Sequence, residues 1–133
     1  MSYVYRIMCS CGNVMNANPG TICPRCHQPV VFPDGGQIFL YRKGNFIGSA
    51  GAFKIYINGI DMGKIGNRET VCIPLPFGTH RMHIAAGMNR RCQDMLINIT
   101  PQSPVAYTKV WMRPGFFSNT FVIEPSTKEE MPL

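Results

Sequence analysis

The sequence has little charge and less acid. Only 15% of its 133 residues are Asp, Glu, Lys or Arg, and the first 33 carry no acidic side chain. No stretch approaches the roughly 18 consecutive apolar residues of a membrane-spanning helix. The opening "MSYVYRIMCSCG" lacks the basic region, apolar stretch and cleavage site of a secretory leader, so an intracellular, cytoplasmic location is expected. Sustained 3.6-residue periodicity is missing, which excludes a helical fold. Catalytic signatures are missing too: there is no Ser in a nucleophile elbow, no glycine-rich phosphate loop and no close carboxylate pair. Asp61, Glu69 and Asp94 are scattered singly among strands and turns. A non-enzymatic role is therefore expected.

What the chain does have is apolar residues (45%) at a density suited to a modest globular core, and cysteine placed unevenly. Four of the six cysteines lie in the first 26 residues, which favours two units rather than one. The turn-rich Pro33-Asp34-Gly35-Gly36 marks the expected boundary. The expected organisation is a cysteine module at 1–33, a linker at 34–36, a β domain at 37–124 and a disordered polar tail at 125–133.

After the boundary the period is two. In "AFKIYING", Phe53, Ile55 and Ile57 face one way and Lys54, Tyr56 and Asn58 the other, and Asn58-Gly59 is a strong hairpin-turn signal. "QIFLYRK", "IDMGKI", "ETVCIPL", "HRMHIAAG", "CQDMLINIT", "VAYTKVWMR" and "FFSNTFVIE" add further short runs rich in β-branched and aromatic residues, punctuated by Gly and Pro. About seven or eight strands joined by tight turns predict an all-β antiparallel sandwich, because parallel pairing would call for helical crossovers. Trp111, Phe116 and Phe117 are expected to pack in its core.

Cys9-x-Cys11 and Cys23-x-x-Cys26 are two close pairs about a dozen residues apart. Each pair suits a tight turn with converging sulfurs, and two facing turns make a tetrahedral S₄ site with bonds of about 2.3 Å. Zn²⁺ suits such a site best, with Fe as the competitor. A unit of this size cannot bury enough surface to fold alone, whereas structural zinc supplies on the order of 10 kcal/mol of apparent binding free energy. Four protein ligands leave no open position for substrate. The alternatives are a redox dithiol at "CPRC", which wants a helix N-terminus, and unligated or disulfide-bonded cysteines.

The pattern resembles a zinc ribbon over residues 3–32, with Gly12 at the position beyond the first knuckle that tolerates positive φ. The first pair here is C-x-C where C-x-x-C is usual. His27 stands where glycine is common and is an alternative ligand to the four cysteines.

His80 and His83 fall on opposite faces of a strand, which predicts two separate imidazoles, one at the surface and one packed. Cys72 and Cys92 are expected to be free thiols acting as small apolar groups. Net charge is +2 over residues 1–33, +5 over 34–124 and −1 over the tail, so a metallated N-terminal unit is near neutral and the excess lies in the β domain. The basic doublets Arg42-Lys43 and Arg90-Arg91 are the candidate contacts to an anionic partner.

"SAGAFKIYINGIDMGKI" resembles the turn and strand of PEGA-type domains, with Ser49-Ala50-Gly51-Ala52 in the turn and Ile55, Ile57, Gly59 and Gly63 in the strand and hairpin positions. "LPFGTHRMHI" matches the family's Leu-x-x-Gly-x-His, with Gly78 in the turn and His80 opening the strand. The resemblance spans about residues 38–113 and implies a β-sandwich used for binding or scaffolding. The expected function is that of an adaptor whose partner is another protein. Nucleic-acid binding is the alternative, since ribbons also occur in transcription and translation machinery and the chain is basic.

Overall fold

The computed structural model describes residues 3–44, 51–89, 91–116 and 119–132. The chain is all-β in two sheets, with no α-helix among the described residues. Strands β1 (Val4–Met8) and β2 (Val14–Asn16) form a hairpin whose turn carries the first cysteine pair. They are followed by β3 (Gly35–Arg42), β4 (Phe53–Ile57), β5 (Ile60–Ile65), β6 (Thr70–Pro76) and β7 (Gly78–Ala85). Then come β8 (Cys92–Gln93), β9 (Met95–Ile99), β10 (Val105–Arg113) and β11 (Thr120–Pro125). One sheet has seven strands in the order β2-β1-β6-β3-β10-β11-β8, and the other has four in the order β5-β4-β7-β9.

The period-two pattern is realised directly. Phe53, Ile55 and Ile57 of β4 are buried while Lys54 and Tyr56 between them are half-exposed. At the β4–β5 turn, Asn58 (φ 54°) and Gly59 (φ 80°) both lie in the left-handed region, as a two-residue hairpin turn requires. Ile38, Leu40, Val71, Ile73, Val110 and Phe121 of the larger sheet close on Phe53, Ile55, Ile65, Met82, Ile84 and Ile99 of the smaller one. Each fully buried side chain of this size contributes about 1.5–3 kcal/mol of transfer free energy.

The pairing departs from the expected antiparallel scheme. β3 runs parallel to β10, β1 to β6 and β8 to β11, while the remaining pairs are antiparallel. Among the described residues no helix makes these crossovers. The chain leaves the larger sheet, runs through strands of the smaller one and returns, so the second sheet supplies the length a parallel connection needs.

The expected linker at 34–36 also reads differently. Gly35 and Gly36 open β3, paired with Pro76 and Leu75. A Cβ on Gly36 would lie 1.8 Å from the Pro104 carbonyl oxygen, so close backbone approach rather than a flexible turn accounts for the glycine.

The C-terminal segment is ordered rather than a disordered tail. β11 reaches Pro125, Thr127 caps a 3₁₀ turn at Lys128–Glu130, and Met131 is buried against Phe39 and Cys72 on the outer face of the larger sheet. Tyr3, Tyr5, Tyr41 and Tyr107 surround that patch, with Phe39 and Tyr107 stacked at 5.2 Å between ring centres. Its aromatic surface is what Met131 covers.

Trp111 falls on the outer side of β10, half-buried, while Val110 and Met112 enter the core. Its indole N–H donates to Glu124 at 3.2 Å across the β10–β11 pair. Phe116, expected in the core, is 94% exposed. Phe117 lies outside the described residues, as do Ser49 and Ala50.

Candidate metal centre

The four N-terminal cysteines come together. Cys9 follows β1, and its N–H donates to the Asn13 carbonyl at 2.8 Å while the Gly12 N–H returns to the Cys9 carbonyl at 2.8 Å. Gly12 sits at φ 94°, which completes this tight turn without a Cβ penalty. The second pair repeats the device. The Cys23 N–H donates to the Gln28 carbonyl at 2.9 Å and the His27 N–H to the Cys23 carbonyl at 2.8 Å, with His27 itself at φ 64°.

These turns bring the sulfurs face to face. Cys9 Sγ is 3.5 Å from Cys26 Sγ, Cys11 Sγ is 3.8 Å from Cys23 Sγ, and all four lie within 4.8 Å of one another. A tetrahedron of sulfurs about 2.3 Å from a central ion has edges of about 3.8 Å. A disulfide would need about 2.05 Å, and all four thiols are free. His27 is exposed and outside the cluster, so the donor set is the four cysteines.

The surroundings suit thiolates. The Cys11 backbone N–H points at Cys9 Sγ, the Cys26 and Arg25 N–H groups at Cys23 Sγ, and the Gln28 N–H at Cys26 Sγ. Asn13 adds its side-chain amide to Cys23 Sγ at 3.6 Å. The Cys26 N–H, with Arg25, Asn13 and Cys11 behind it, brings the Cys23 thiol down to about 6 against the desolvation of its burial. Cys9 moves in the same direction, led by the Cys11 N–H, whereas Cys26, in spite of the Gln28 N–H, is pushed up to about 12 by desolvation and the neighbouring thiols, so the cluster does not hold four thiolates without a cation. Such donors spread the negative charge that accumulates when four thiolates converge. Donor type, spacing and N–H support are consistent with a zinc-type site, and four sulfurs fill its coordination sphere.

The cysteine turns pack on a small core of their own, made by Ile7, Cys9, Cys23 and Val30. The cluster is distinct from the sandwich core, but the hairpin that carries the first cysteine pair joins the larger sheet, because β1 pairs with β6 through Val4 and Val71, and Tyr5 and Cys72. Where the two meet, an apolar groove of about 380 Å³ opens among Ile7, Met8, Val31, Phe32, Ile60 and Leu75. Val31 is 80% exposed and Ile60 47% exposed at its rim.

The basic doublets behave differently from the expectation. Arg42 is buried at 1% exposure, its Nη1 donating to the Gly51 carbonyl at 2.5 Å and the Ile65 carbonyl at 3.2 Å, with its guanidinium over the Phe53 ring. It is a structural cation, because its place on β3 faces the space between the sheets. Lys43 is exposed beside Trp111, Arg91 is exposed, and Arg90 lies outside the described residues.

The histidines diverge as the strand period requires. His80 is buried; its Nε2 donates to the Pro76 carbonyl at 2.8 Å, which leaves Nδ1 to accept from the Asn58 amide at 3.0 Å. His83 faces the other side and meets Asp94 at 2.7 Å. Cys72 and Cys92 are not neighbours: β6 and β8 are separated in the larger sheet, and both thiols are free. Desolvation by burial pushes each up to about 12.

Sequence reasoning missed one grouping, His83 with Cys92 and Asp94, whose ligand atoms lie within 4.8 Å of one another. The Cys-x-Asp spacing was visible, but its approach to His83 depends on how β7, β8 and β9 are arranged. No family model matches the chain, and no curated protein matches it in sequence. No helix among the described residues is long and apolar enough to cross a membrane.

Proposed function

We propose that this protein is a non-enzymatic cytoplasmic adaptor. In this reading the N-terminal unit is a zinc ribbon whose ion is structural, fused to a PEGA-like sandwich, and it holds another protein in the groove where the two meet. One observation carries the reading: Ile7 and Met8, which lead into the first cysteine turn, Ser10 within it, and Val31 and Phe32, which follow the second, wall one side of an open apolar groove, with Met8, Val31 and Ile60 exposed along it. A metal clamp would hold that wall rigid, so a partner's apolar segment binds without the protein first losing conformational freedom. The burial of Arg42 leaves only Lys43 of the Arg42-Lys43 doublet at the surface, which weakens the nucleic-acid alternative.

The test places a photo-crosslinking residue in the metal-loaded protein at Val31 or Ile60 and, as a control, at Leu96, which is exposed on β9. Expected are protein adducts at the two groove positions that disappear on metal removal, and none at Leu96. Equal labelling at all three positions, or none, overturns the adaptor reading. Retention of labelled DNA or RNA at physiological salt, falling steeply as salt rises, would replace it with the nucleic-acid one.

A further inference from the structure

We propose that His83, Cys92 and Asp94 form a second transition-metal site, separate from the four-cysteine centre and holding its ion with an exchangeable coordination position. The site is made where the chain changes sheets. Cys92 opens β8 of the larger sheet, which ends at Gln93, Met95 begins β9 of the smaller one, and Asp94 is the single residue between the two strands. β9 pairs with β7 in a register that sets Met95 opposite Met82, which brings Asp94 beside His83. Imidazole, thiol and carboxylate then lie within 4.8 Å of one another.

A histidine 2.7 Å from an aspartate is by itself an ion pair or a hydrogen bond. The thiol changes its meaning. One nitrogen, one sulfur and one oxygen from a protein make a three-donor set suited to Zn²⁺ and its relatives, and three protein ligands leave the fourth tetrahedral position to water or a small ligand. His83 and Asp94 also line a shallow cavity of about 240 Å³ with Tyr56, Gly59 and Arg81, which gives such a ligand room. Arg81 Nη1 stands 3.7 Å from the second Asp94 oxygen, where it steadies the carboxylate. The Ile84 backbone N–H points at Cys92 Sγ at 3.4 Å and supports a thiolate there.

Cys92 would bind as the thiolate, so metal uptake at this site releases a proton. Thiolate and carboxylate together neutralise a divalent cation. The two sites differ in consequence: β7, β8 and β9 are held by their sheets, so the second ion is not required for folding.

The test is a Co²⁺ titration of the full-length, reduced, chelator-stripped protein, followed by thiolate-to-cobalt charge-transfer and ligand-field absorption. Two equivalents are expected, the second adding a weaker band from a single thiolate. His83→Ala should abolish the second equivalent and leave the first, and Asp94→Asn should weaken it about tenfold or more. Cys23→Ser should spare it. Saturation at one equivalent overturns the proposal, as does a second equivalent unchanged in His83→Ala. If His83→Ala fails to fold, unchanged second-site affinity in the isosteric Asp94→Asn decides against it.

Discussion

Arg6 and Met62 meet across 56 positions of sequence: the Arg6 Nη1 donates to the Met62 carbonyl at 3.0 Å. The same side chain donates from Nε to Asn16 Oδ1 at 2.6 Å, so it ties the β1–β2 hairpin to β5 of the opposite sheet. Arg6 is 7% exposed, and burial lowers its pKa without a cause large enough to discharge a guanidinium. Gly63, at φ 84°, makes room for it, since a Cβ there would sit 2.8 Å from the Arg6 Nη1.

Arg6→Met should therefore cost about 2–3 kcal/mol, because it leaves the Met62 carbonyl and the Asn16 amide oxygen without their donor. Urea denaturation is the measurement. A midpoint unchanged from wild type would mean that the hairpin and β5 are not coupled through this side chain.

Removing metal should loosen the cysteine turns selectively. Their apolar cluster of Ile7, Cys9, Cys23 and Val30 is too small to persist alone, whereas the sandwich core is independent of it. Chelator treatment, or Cys23→Ser, should open residues 10–30 to limited proteolysis while residues 53–123 stay resistant. Equal resistance with and without metal would contradict a structural ion.

Arg42→Met should destabilise the fold by about 2–3 kcal/mol, since the Gly51 and Ile65 carbonyls lose their donor. Lys43→Met next to it should stay within about 0.5 kcal/mol, as an exposed substitution does. Thermal denaturation of the two variants separates them; equal small effects would place Arg42 at the surface after all.

The C-terminal turn should respond to pH at both extremes. Lys109 Nζ lies 2.8 Å from Glu130 Oε2, and this hydrogen bond holds the Glu130 carboxyl below, and the Lys109 ammonium above, their ordinary ranges. A depressed carboxylate contributes stability above its unfolded pKa and loses it as pH falls through the folded value. A raised ammonium contributes below its unfolded pKa and loses it as pH rises through the folded value. The Met131 methyl resonance, shifted by the aromatic cluster it packs in, should drift towards its unpacked position at both ends, and Glu130→Gln should remove the acid step. An acid transition that survives in Glu130→Gln would assign it to another carboxylate.

Several features were written locally and could be read without the structure. Two cysteine pairs sit in turns whose geometry needs only neighbouring residues, with Gly12 at positive φ, and their convergence follows once a short hairpin joins them. The Asn58-Gly59 hairpin and the inward faces of Phe53, Ile55 and Ile57 follow equally from turn chemistry and a period of two. His80 and His83 separate for the same reason.

The period of a strand states which face a residue takes; it is silent on which strand lies beside it. For that reason the parallel β3–β10 and β1–β6 pairings, Gly36 pressed against Pro104 and the burial of Arg42 were decided only when distant segments packed. Polarity alone reads the tail as disordered, because Met131, the buried side chain among its described residues, has value only against an aromatic patch assembled from β1, β3, β6 and β10. The approach of Cys92 and Asp94 to His83 belongs to the same class. Local sequence determined faces, turns and the first cluster of thiols; complementarity between strands far apart in the chain decided neighbours, and with them the second cluster.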